Sequence, residues 1–194
     1  GCIFMLDFYG TFFSLFATYY LIQCKRIAWL LSLIATSLNG YLFSKSGIYA
    51  QMVLEGVYFL SACYGWLYWS ETRNSTDTDH TIKDLTFHHG LVLSVLGSLL
   101  CFILYKFISI HTDSSIAMLG ATTAVLSLIG QWLMCRKIIS TWIIWFFVDA
   151  MLALIYIQKG LPFHTLLMLV YLGMAVAGYL RWGKLKHSPN PVLA

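Results

Sequence analysis

Charged residues are scarce in this chain. Asp, Glu, Lys and Arg make up only 10% of its 194 residues, whereas 59% of the residues are hydrophobic. Soluble domains are about a quarter charged and about half apolar. A chain with so little charge would aggregate if its surface faced water. The composition therefore excludes a soluble domain and predicts an integral membrane protein whose surface is solvated by lipid.

Several patterns that carry chemistry are also missing. The twelve basic residues lie scattered at the ends of apolar runs, without the basic stripe that nucleic-acid binding needs. The five cysteines stand singly, with no C-x-x-C spacing, which favours small buried hydrophobic side chains. We find no HExxH, GxSxG or Ser–Lys arrangement of an intramembrane enzyme. The sequence therefore predicts no enzyme, no nucleic-acid partner, no metal and no cofactor.

Polar residues divide the chain into seven apolar segments of about 20 residues, each long enough to cross a bilayer as a helix. These segments are residues 4–22, 27–44, 50–70, 87–109, 115–134, 138–157 and 161–182. The long connection at residues 71–86 is rich in Ser, Thr and Asp, which predicts a cytoplasmic linker, and residues 183–194 form a polar tail. We therefore predict an all-α integral membrane protein with seven transmembrane helices.

An internal repeat relates the two ends of the chain. An ungapped shift of 113 residues superposes five matching pairs of Trp, Gly or Tyr, which carry more weight than matches of the abundant Leu. The pairs are Trp29 and Trp142, Gly47 and Gly160, Tyr58 and Tyr171, Gly65 and Gly178, and Trp69 and Trp182. Residues 4–70 and 115–182 thus form two triple-helix repeats, and residues 87–109 form a linking span that makes them parallel. This 3+1+3 arrangement is SWEET-like, and by analogy substrate would bind between the repeats near the midplane.

The basic residues indicate the orientation of the chain. With seven spans, nine of them flank the side of the C-terminus: Lys25, Arg26, Arg73, Lys83, Arg136, Lys137, Arg181, Lys184 and Lys186. Three flank the opposite side: Lys45, Lys106 and Lys159. Because cytoplasmic loops carry the excess of Lys and Arg, we expect the N-terminus outside and the C-terminus in the cytoplasm.

Polar and aromatic residues form stripes on several spans. On the sixth span, Trp142, Trp145, Asp149 and Tyr156 stay within about 60° of arc at 100° per residue. Membrane helices turn such groups away from lipid, so the stripes indicate an interior face. Including comparable positions on the second, third and fifth spans, the candidate substrate-binding residues are Trp142, Trp145, Asp149, Gln131, Glu55, Tyr156, Asn39 and Tyr58.

Structural interpretations exist for the same residues. Asp149 is consistent with an interhelical hydrogen-bond network, Glu55 with an outer vestibule, and Gln131 with a bridge between helices. Trp142 and Trp145 are also compatible with a belt of tryptophans at the membrane–water interface. That interpretation suits three other tryptophans better because they lie at span ends: Trp66, Trp69 and Trp182.

The composition of the stripes limits the ligand. Two indoles and a carboxylate, without a basic residue, suit a flat aromatic ring that is cationic or forms hydrogen bonds. A phosphate would require Arg, Lys or a helix N-terminus. The predicted substrate is therefore a nucleoside or a vitamin rather than a nucleotide.

Four segments resemble one transporter family. The run WIIWFFVDAMLALIYIQKGL, followed by YLGMAVAGYLRW, resembles the C-terminal signature of the PnuC family of bacterial nicotinamide riboside transporters. The segments YFLSACYGWLYW and QWLMCRKIISTW resemble the family's third and fifth spans. The resemblance extends over about residues 10–185, and the W-x-x-W of the sixth span is its most specific element.

The resemblance implies a SWEET-related protein of the bacterial inner membrane that carries nicotinamide riboside, a precursor of NAD, by facilitated diffusion. A cytoplasmic kinase would then phosphorylate and trap the riboside, and the protein would be a homo-oligomer such as a trimer. By resemblance, Trp142 and Trp145 contact the nicotinamide ring, while Glu55, Gln131 and Asp149 contact ribose and carboxamide. Thiamine or another flat cationic vitamin is an alternative substrate. A haem-binding or structural membrane subunit is the alternative from another class, although paired histidines at mid-bilayer depth are missing from the spans.

Overall fold

A computed structural model describes residues 2–45, 49–71, 82–111, 117–158 and 162–187. These residues form seven helices, which confirms the predicted all-α fold. The helices are α1 (Cys2–Ile22), α2 (Ile27–Lys45), α3 (Tyr49–Glu71), α4 (Phe87–His111), α5 (Ala117–Cys135), α6 (Thr141–Gln158) and α7 (Pro162–Lys186). Most of the predicted linker and of the polar tail lies outside the described residues.

The chain divides into two compact units. The first unit comprises residues 1–81, which include α1 to α3, together with residues 184–194. The second unit comprises residues 82–183, which include α4 to α6 and most of α7. In the first unit α2 packs on both α1 and α3, and in the second unit α5 packs on both α4 and α6.

The helices expose the apolar surface that a bilayer covers. Three stretches among the described residues are long and apolar enough to cross a membrane by length and composition: Phe87–His111, Ala117–Cys135 and Thr165–Lys186. Shorter apolar stretches are Phe8–Ile22, Ile27–Leu42 and Thr141–Leu154. Helix α4, which is described throughout, has no buried residue. Its exposed Phe, Leu, Ile and Val side chains far exceed the apolar patches that soluble monomers tolerate.

The 113-residue repeat recurs in the turn that follows the first helix of each triplet. Cys24 after α1 and Lys137 after α5 both adopt the left-handed conformation, with φ of 56° and 55°. In both places two backbone N–H groups donate back to the end of the helix in the pattern of a Schellman motif. The bonds are Lys25 to Tyr20 at 2.9 Å, Cys24 to Leu21 at 2.9 Å, Ile138 to Leu133 at 2.9 Å, and Lys137 to Met134 at 3.1 Å. Each bond of the first turn maps onto one of the second by the same shift.

A close contact between α2 and α3 fills the interior of the first unit. Trp29 is fully buried, and its ring meets that of Trp69 edge to face, with centroids 5.3 Å apart and planes at 89°. Gly65 allows this approach, because a Cβ atom there would lie 2.5 Å from the Trp29 indole. Glycine at position 65 is therefore required by the ring that lies against it.

The second unit repeats this contact between α6 and α7. The rings of Trp142 and Trp182 lie edge to face at 5.4 Å and 88°, and a Cβ atom on Gly178 would lie 2.5 Å from the Trp142 indole. Trp69 and Trp182 are 4% and 0% exposed, so their interpretation as interfacial belt residues is wrong. Their position at helix ends suggested the belt, but the small residue one turn earlier lets another indole cover them.

The two turns differ in what stabilises them. In the first unit the Arg26 guanidinium lies 3.5 Å from the Trp66 ring centroid, and its Nε donates to the Trp66 carbonyl at 3.0 Å. Trp66 thus packs against the turn after α1. In the second unit the end of the linker pairs with the turn after α5. Lys83 N–H donates to the Lys137 carbonyl at 2.9 Å, and Ile139 N–H donates to the Lys83 carbonyl at 3.0 Å.

Candidate functional site

Helix α6 turns one side toward the interior of the second unit. Its described buried residues share an arc of about 140° at 100° per residue: Thr141, Trp142, Val148, Asp149 and Ala153. Trp145 falls in the middle of this arc and is half-buried. Trp145 and Asp149 are four residues apart, so their side chains lie one above the other on the same helix face. The side chain of Tyr156, predicted for the same stripe, lies outside the described part of the chain.

Asp149 is a buried acid without a partner among the described residues. Only 7% of the residue is exposed, and no described residue donates a hydrogen bond to its carboxyl group. A carboxylate near the centre of a bilayer costs on the order of 3 kcal/mol even on insertion scales. Helix packing alone does not repay that cost, since apolar side chains fill such positions more cheaply. The carboxyl oxygens therefore remain available as acceptors for a ligand.

Trp145 lies against helix α5 at a glycine. The Trp145 atoms Cε2 and Nε1 lie 3.3 Å from the position that a Cβ atom on Gly130 would take. The Thr141 hydroxyl, one turn before Trp145, donates to the Gly130 carbonyl at 2.7 Å and ties the two helices at this level. Gln131, a predicted site residue, directly follows Gly130 and is half-buried. Of the predicted residues, Trp145 thus lies at the α5–α6 contact, and Gln131 is the chain neighbour of the glycine it packs against.

Trp142 is placed differently from Trp145. It is 2% exposed, and its indole is enclosed by Gly178 and Trp182. A ring covered in this way offers no face to a ligand in this conformation. Its predicted contact with substrate stays a prediction, whereas its contact with α7 is a feature that the first unit repeats at Trp29.

The first unit holds the remaining predicted residues. Asn39 donates from Nδ2 to Ser14 Oγ at 3.4 Å and so links α2 to α1. Glu55 on α3 is half-buried beside Gly40 of α2, and no described residue donates a hydrogen bond to it. Tyr58, one turn after Glu55, is also half-buried. Their contact with substrate stays a prediction.

Sequence reasoning missed Gly130 and Thr141. Gly130 lies outside the segments that resemble the family, and Thr141, although it lies within QWLMCRKIISTW, stands at the very start of α6 and was not assigned to the site. The 113-residue shift places Ala17 and Ala28 at the equivalent positions of the first unit, but the two copies differ at most aligned positions, so the repeat did not single out either residue.

Comparisons with known proteins agree with this architecture. The sequence model of the nicotinamide mononucleotide transporter family matches residues 4–184. Two curated relatives, named nicotinamide riboside transporter PnuC and found in Escherichia coli strain K12 and Shigella flexneri, are each 23% identical over 175 residues. The alignment covers 77% of this chain and 73% of each relative.

A solved structure described as the crystal structure of the vitamin B3 transporter PnuC has the same fold. Its TM-score is 0.73 at 23% identity, over 95% of this chain and 83% of that chain. The family match extends over nearly the whole sequence, and the resemblance to PnuC is confirmed. The chain therefore belongs to the nicotinamide mononucleotide transporter family, a family of membrane transporters, not enzymes, that includes PnuC.

Proposed function

We propose that this protein carries nicotinamide riboside across the membrane by facilitated diffusion and that the Trp145–Asp149 face of α6 binds it. The observation that carries the proposal is Asp149, a buried carboxyl group without a described donor, one helical turn from a half-buried indole. Both PnuC relatives are named as nicotinamide riboside transporters. Family membership and the chemistry of this face point to the same class of ligand.

The nicotinamide ring of the riboside is a pyridinium cation, and its chemistry fits these two side chains. An indole face attracts such a cation by about 0.5–2 kcal/mol, more when water is excluded. The Asp149 carboxyl adds an acceptor for the ribose hydroxyls or the carboxamide and a negative charge near the ring. Attraction of this size binds substrate and still releases it, as a transporter requires.

The same face argues against the mononucleotide. Helix α6 contains no Lys or Arg, and its buried acid would repel a phosphate. The proposal therefore selects the nucleoside. Thiamine is the second candidate, because it also presents a flat aromatic cation to an indole and a carboxyl group.

The other predicted residues receive secondary roles in the proposal. Gln131 on α5, Glu55 and Tyr58 on α3, Asn39 on α2 and Tyr156 on α6 supply hydrogen bonds to ribose or carboxamide. Asn39 already donates to Ser14, so its share is the smallest. Because Trp142 is enclosed, we assign it to the α6–α7 contact and assign the ring to Trp145.

The setting of the transporter completes the proposal. We place it in the bacterial inner membrane with the N-terminus outside, which the distribution of Lys and Arg supports. Facilitated diffusion stops when the charged riboside reaches electrochemical equilibrium, so accumulation beyond the ratio set by the membrane potential requires a sink, and phosphorylation by a cytoplasmic riboside kinase supplies one. We also expect a homo-oligomer such as a trimer.

Uptake of labelled substrate into proteoliposomes tests the proposal. Wild-type protein should carry nicotinamide riboside, and unlabelled thiamine should compete more strongly than the mononucleotide. Trp145→Ala should raise KM about tenfold, since it removes the indole face. Trp132→Ala, which removes an exposed tryptophan of α5 off this face, should leave KM unchanged.

Trp142→Ala separates packing from binding. It should lower the melting temperature markedly, because a large buried side chain is lost, whereas Trp145→Ala should change it less. Uptake of the mononucleotide but not the riboside would contradict the proposed substrate. A KM for Trp145→Ala equal to that of wild type would contradict the proposed site.

A further inference from the structure

We infer that Gly130 and Thr141 are positioning residues that hold the Trp145 indole in the orientation in which it binds substrate. The inference rests on the proposed function, since it assigns a purpose to the residues behind the proposed ring contact. Neither side chain needs to touch the ligand. Both act through the place and tilt of Trp145.

The distances leave little freedom at this contact. A Cβ atom on Gly130 would lie 3.2 Å from Ile144 Cγ2 and 3.3 Å from both Cε2 and Nε1 of Trp145. Contacts this short force the neighbour to move by a few tenths of an ångström. The indole therefore occupies the space that the absent side chain leaves, and any side chain at position 130 would displace it.

Thr141 fixes the height at which the two helices meet. Its buried hydroxyl donates to the Gly130 carbonyl at 2.7 Å, a hydrogen bond within one helical turn of Trp145. Because Thr141 is fully buried, its hydroxyl has little freedom to choose another acceptor. The bond sets the axial register of α6 against α5 and with it the height of the indole above Gly130.

The first repeat shows that helix packing does not require either residue. The 113-residue shift places Ala17 opposite Gly130 and Ala28 opposite Thr141, and both alanines are buried, at 3% and 0% exposure. Helices α1 and α2 thus pack on each other with alanines at these two positions, without the glycine and without the hydroxyl.

The second repeat departs from this scaffold at four positions together. Where the first repeat has Ala17, Ala28, Ser32 and Thr36, the second has Gly130, Thr141, Trp145 and Asp149. Gly130 leaves the space that the Trp145 indole fills, and the Thr141 hydroxyl forms a hydrogen bond from α6 to the Gly130 carbonyl of α5. By contrast, Trp142 is matched by Trp29 and belongs to the part of the repeat that both copies share. Three of these four changes, Gly130, Thr141 and Trp145, therefore lie at the contact that orients the indole.

Gly130→Ala tests the inference, with Gly120→Ala as its control. Both glycines lie on α5, but a Cβ atom at position 120 would have no atom of the described residues within 4 Å. Alanine also favours a helix over glycine, so weakening of α5 is not expected in either variant. In proteoliposomes Gly130→Ala should raise KM for nicotinamide riboside about fivefold, the size of a coupling between touching side chains, with Vmax nearly unchanged. Gly120→Ala should behave as wild type.

Thr141 is tested by rescue. Thr141→Val removes the hydroxyl and should raise KM about threefold, as loss of one positioning hydrogen bond would. Thr141→Ser keeps the hydroxyl and should restore the wild-type KM. Equal KM values for the Val and Ser variants would overturn the role of the hydrogen bond.

A double-mutant cycle shows whether Gly130 acts through the indole. In a Trp145→Phe background Gly130→Ala should change the Kd for the riboside less than twofold, because the smaller ring no longer fills the space. Full additivity, or a wild-type KM for Gly130→Ala alone, would overturn the inference. Failure of the wild-type protein to carry or bind the riboside would instead contradict the proposed function, so the two failures are distinguishable.

Discussion

Position 149 carries a carboxyl group that the helical scaffold does not require. Its counterpart in the first repeat is Thr36, whose hydroxyl donates to the Ser32 carbonyl of its own helix at 2.8 Å. A neutral side chain that satisfies itself is therefore sufficient at this place in a triple-helix repeat. Asp149 has no described hydrogen-bond donor. Burial of its carboxyl group therefore costs desolvation free energy that no hydrogen bond among the described residues offsets.

Removal of the charge at position 149 should separate binding from stability. Asp149→Asn keeps hydrogen-bonding capacity and should raise KM for the riboside about threefold, less than loss of the Trp145 indole does. Asp149→Leu removes both charge and acceptor and should raise KM further. Both variants should melt at or above the wild-type temperature, because an unpartnered buried acid is replaced by a less costly group.

Uptake assays and thermal melts of the same purified variants give the two readouts. If Asp149→Asn lowered the melting temperature by many degrees or prevented folding, Asp149 would be part of a structural network. If it left KM unchanged, the carboxyl group would not contact substrate. Only a raised KM for the riboside together with an unchanged or higher melting temperature fits an Asp149 that binds substrate.

At the scale of helices, much of the fold could be predicted from sequence. Apolar segments between polar residues located all seven helices, because a bilayer enforces a length of about 20 residues. The repeat register was predicted from matches of Trp, Gly and Tyr, and the backbone hydrogen bonds of the turns after α1 and α5 are related by the same shift. Membrane solvation restricts composition and length so strongly that few alternatives remain.

Side-chain environments at helix ends were less predictable. Trp69 and Trp182 were expected at the lipid interface and are buried, since the Gly one turn earlier admits the indole of a neighbouring helix. The Thr141–Gly130 hydrogen bond depends on the axial register of two helices, which local pattern does not determine. The sequence therefore predicted the positions of the helices but not the side-chain contacts between them.

The Trp–Gly–Trp contact of each repeat should fail when its glycine gains a side chain. Gly65→Ala and Gly178→Ala would each place Cβ 2.5 Å from indole atoms and should destabilise the protein by about 1–3 kcal/mol, as overpacking does. Matched controls lie on the same helices: the added Cβ of Gly56→Ala on α3 and of Gly173→Ala on α7 meets no atom of the described part of the chain within 4 Å. The melting temperatures of the four variants are compared by heating each protein and measuring by size-exclusion chromatography how much folded protein remains.

Similar losses at positions 65 and 178, with neither control affected, would show that both repeats depend on the same contact. A large loss at one position only would mean that the two units are stabilised differently. Wild-type melting temperatures for both variants would contradict the packing described for Trp29 and Trp142.

For the whole molecule, the buried Asp149 and the half-buried Glu55 leave a choice of transport mechanism. Asp149 and Glu55 have no described hydrogen-bond donor, and acids within membrane spans often relay protons in coupled transporters. If transport is facilitated diffusion, Asp149 and Glu55 instead recognise the cationic substrate. The two mechanisms differ in which gradient moves the substrate, so transport energetics distinguishes them.

Nicotinamide riboside carries one positive charge, so a uniporter should respond to membrane potential and ignore a proton gradient. An inside-negative potential of about 100 mV acts on one charge with about 2.3 kcal/mol, which corresponds to an inside-to-outside ratio of about fifty at equilibrium. Proteoliposomes loaded with potassium and treated with valinomycin should approach this ratio with wild-type protein and much more slowly with Trp145→Ala.

A pH gradient alone should leave the ratio of riboside inside to riboside outside near one. If a pH gradient drove accumulation, and if Asp149→Asn abolished it, the buried acid would be a proton carrier and facilitated diffusion would be excluded.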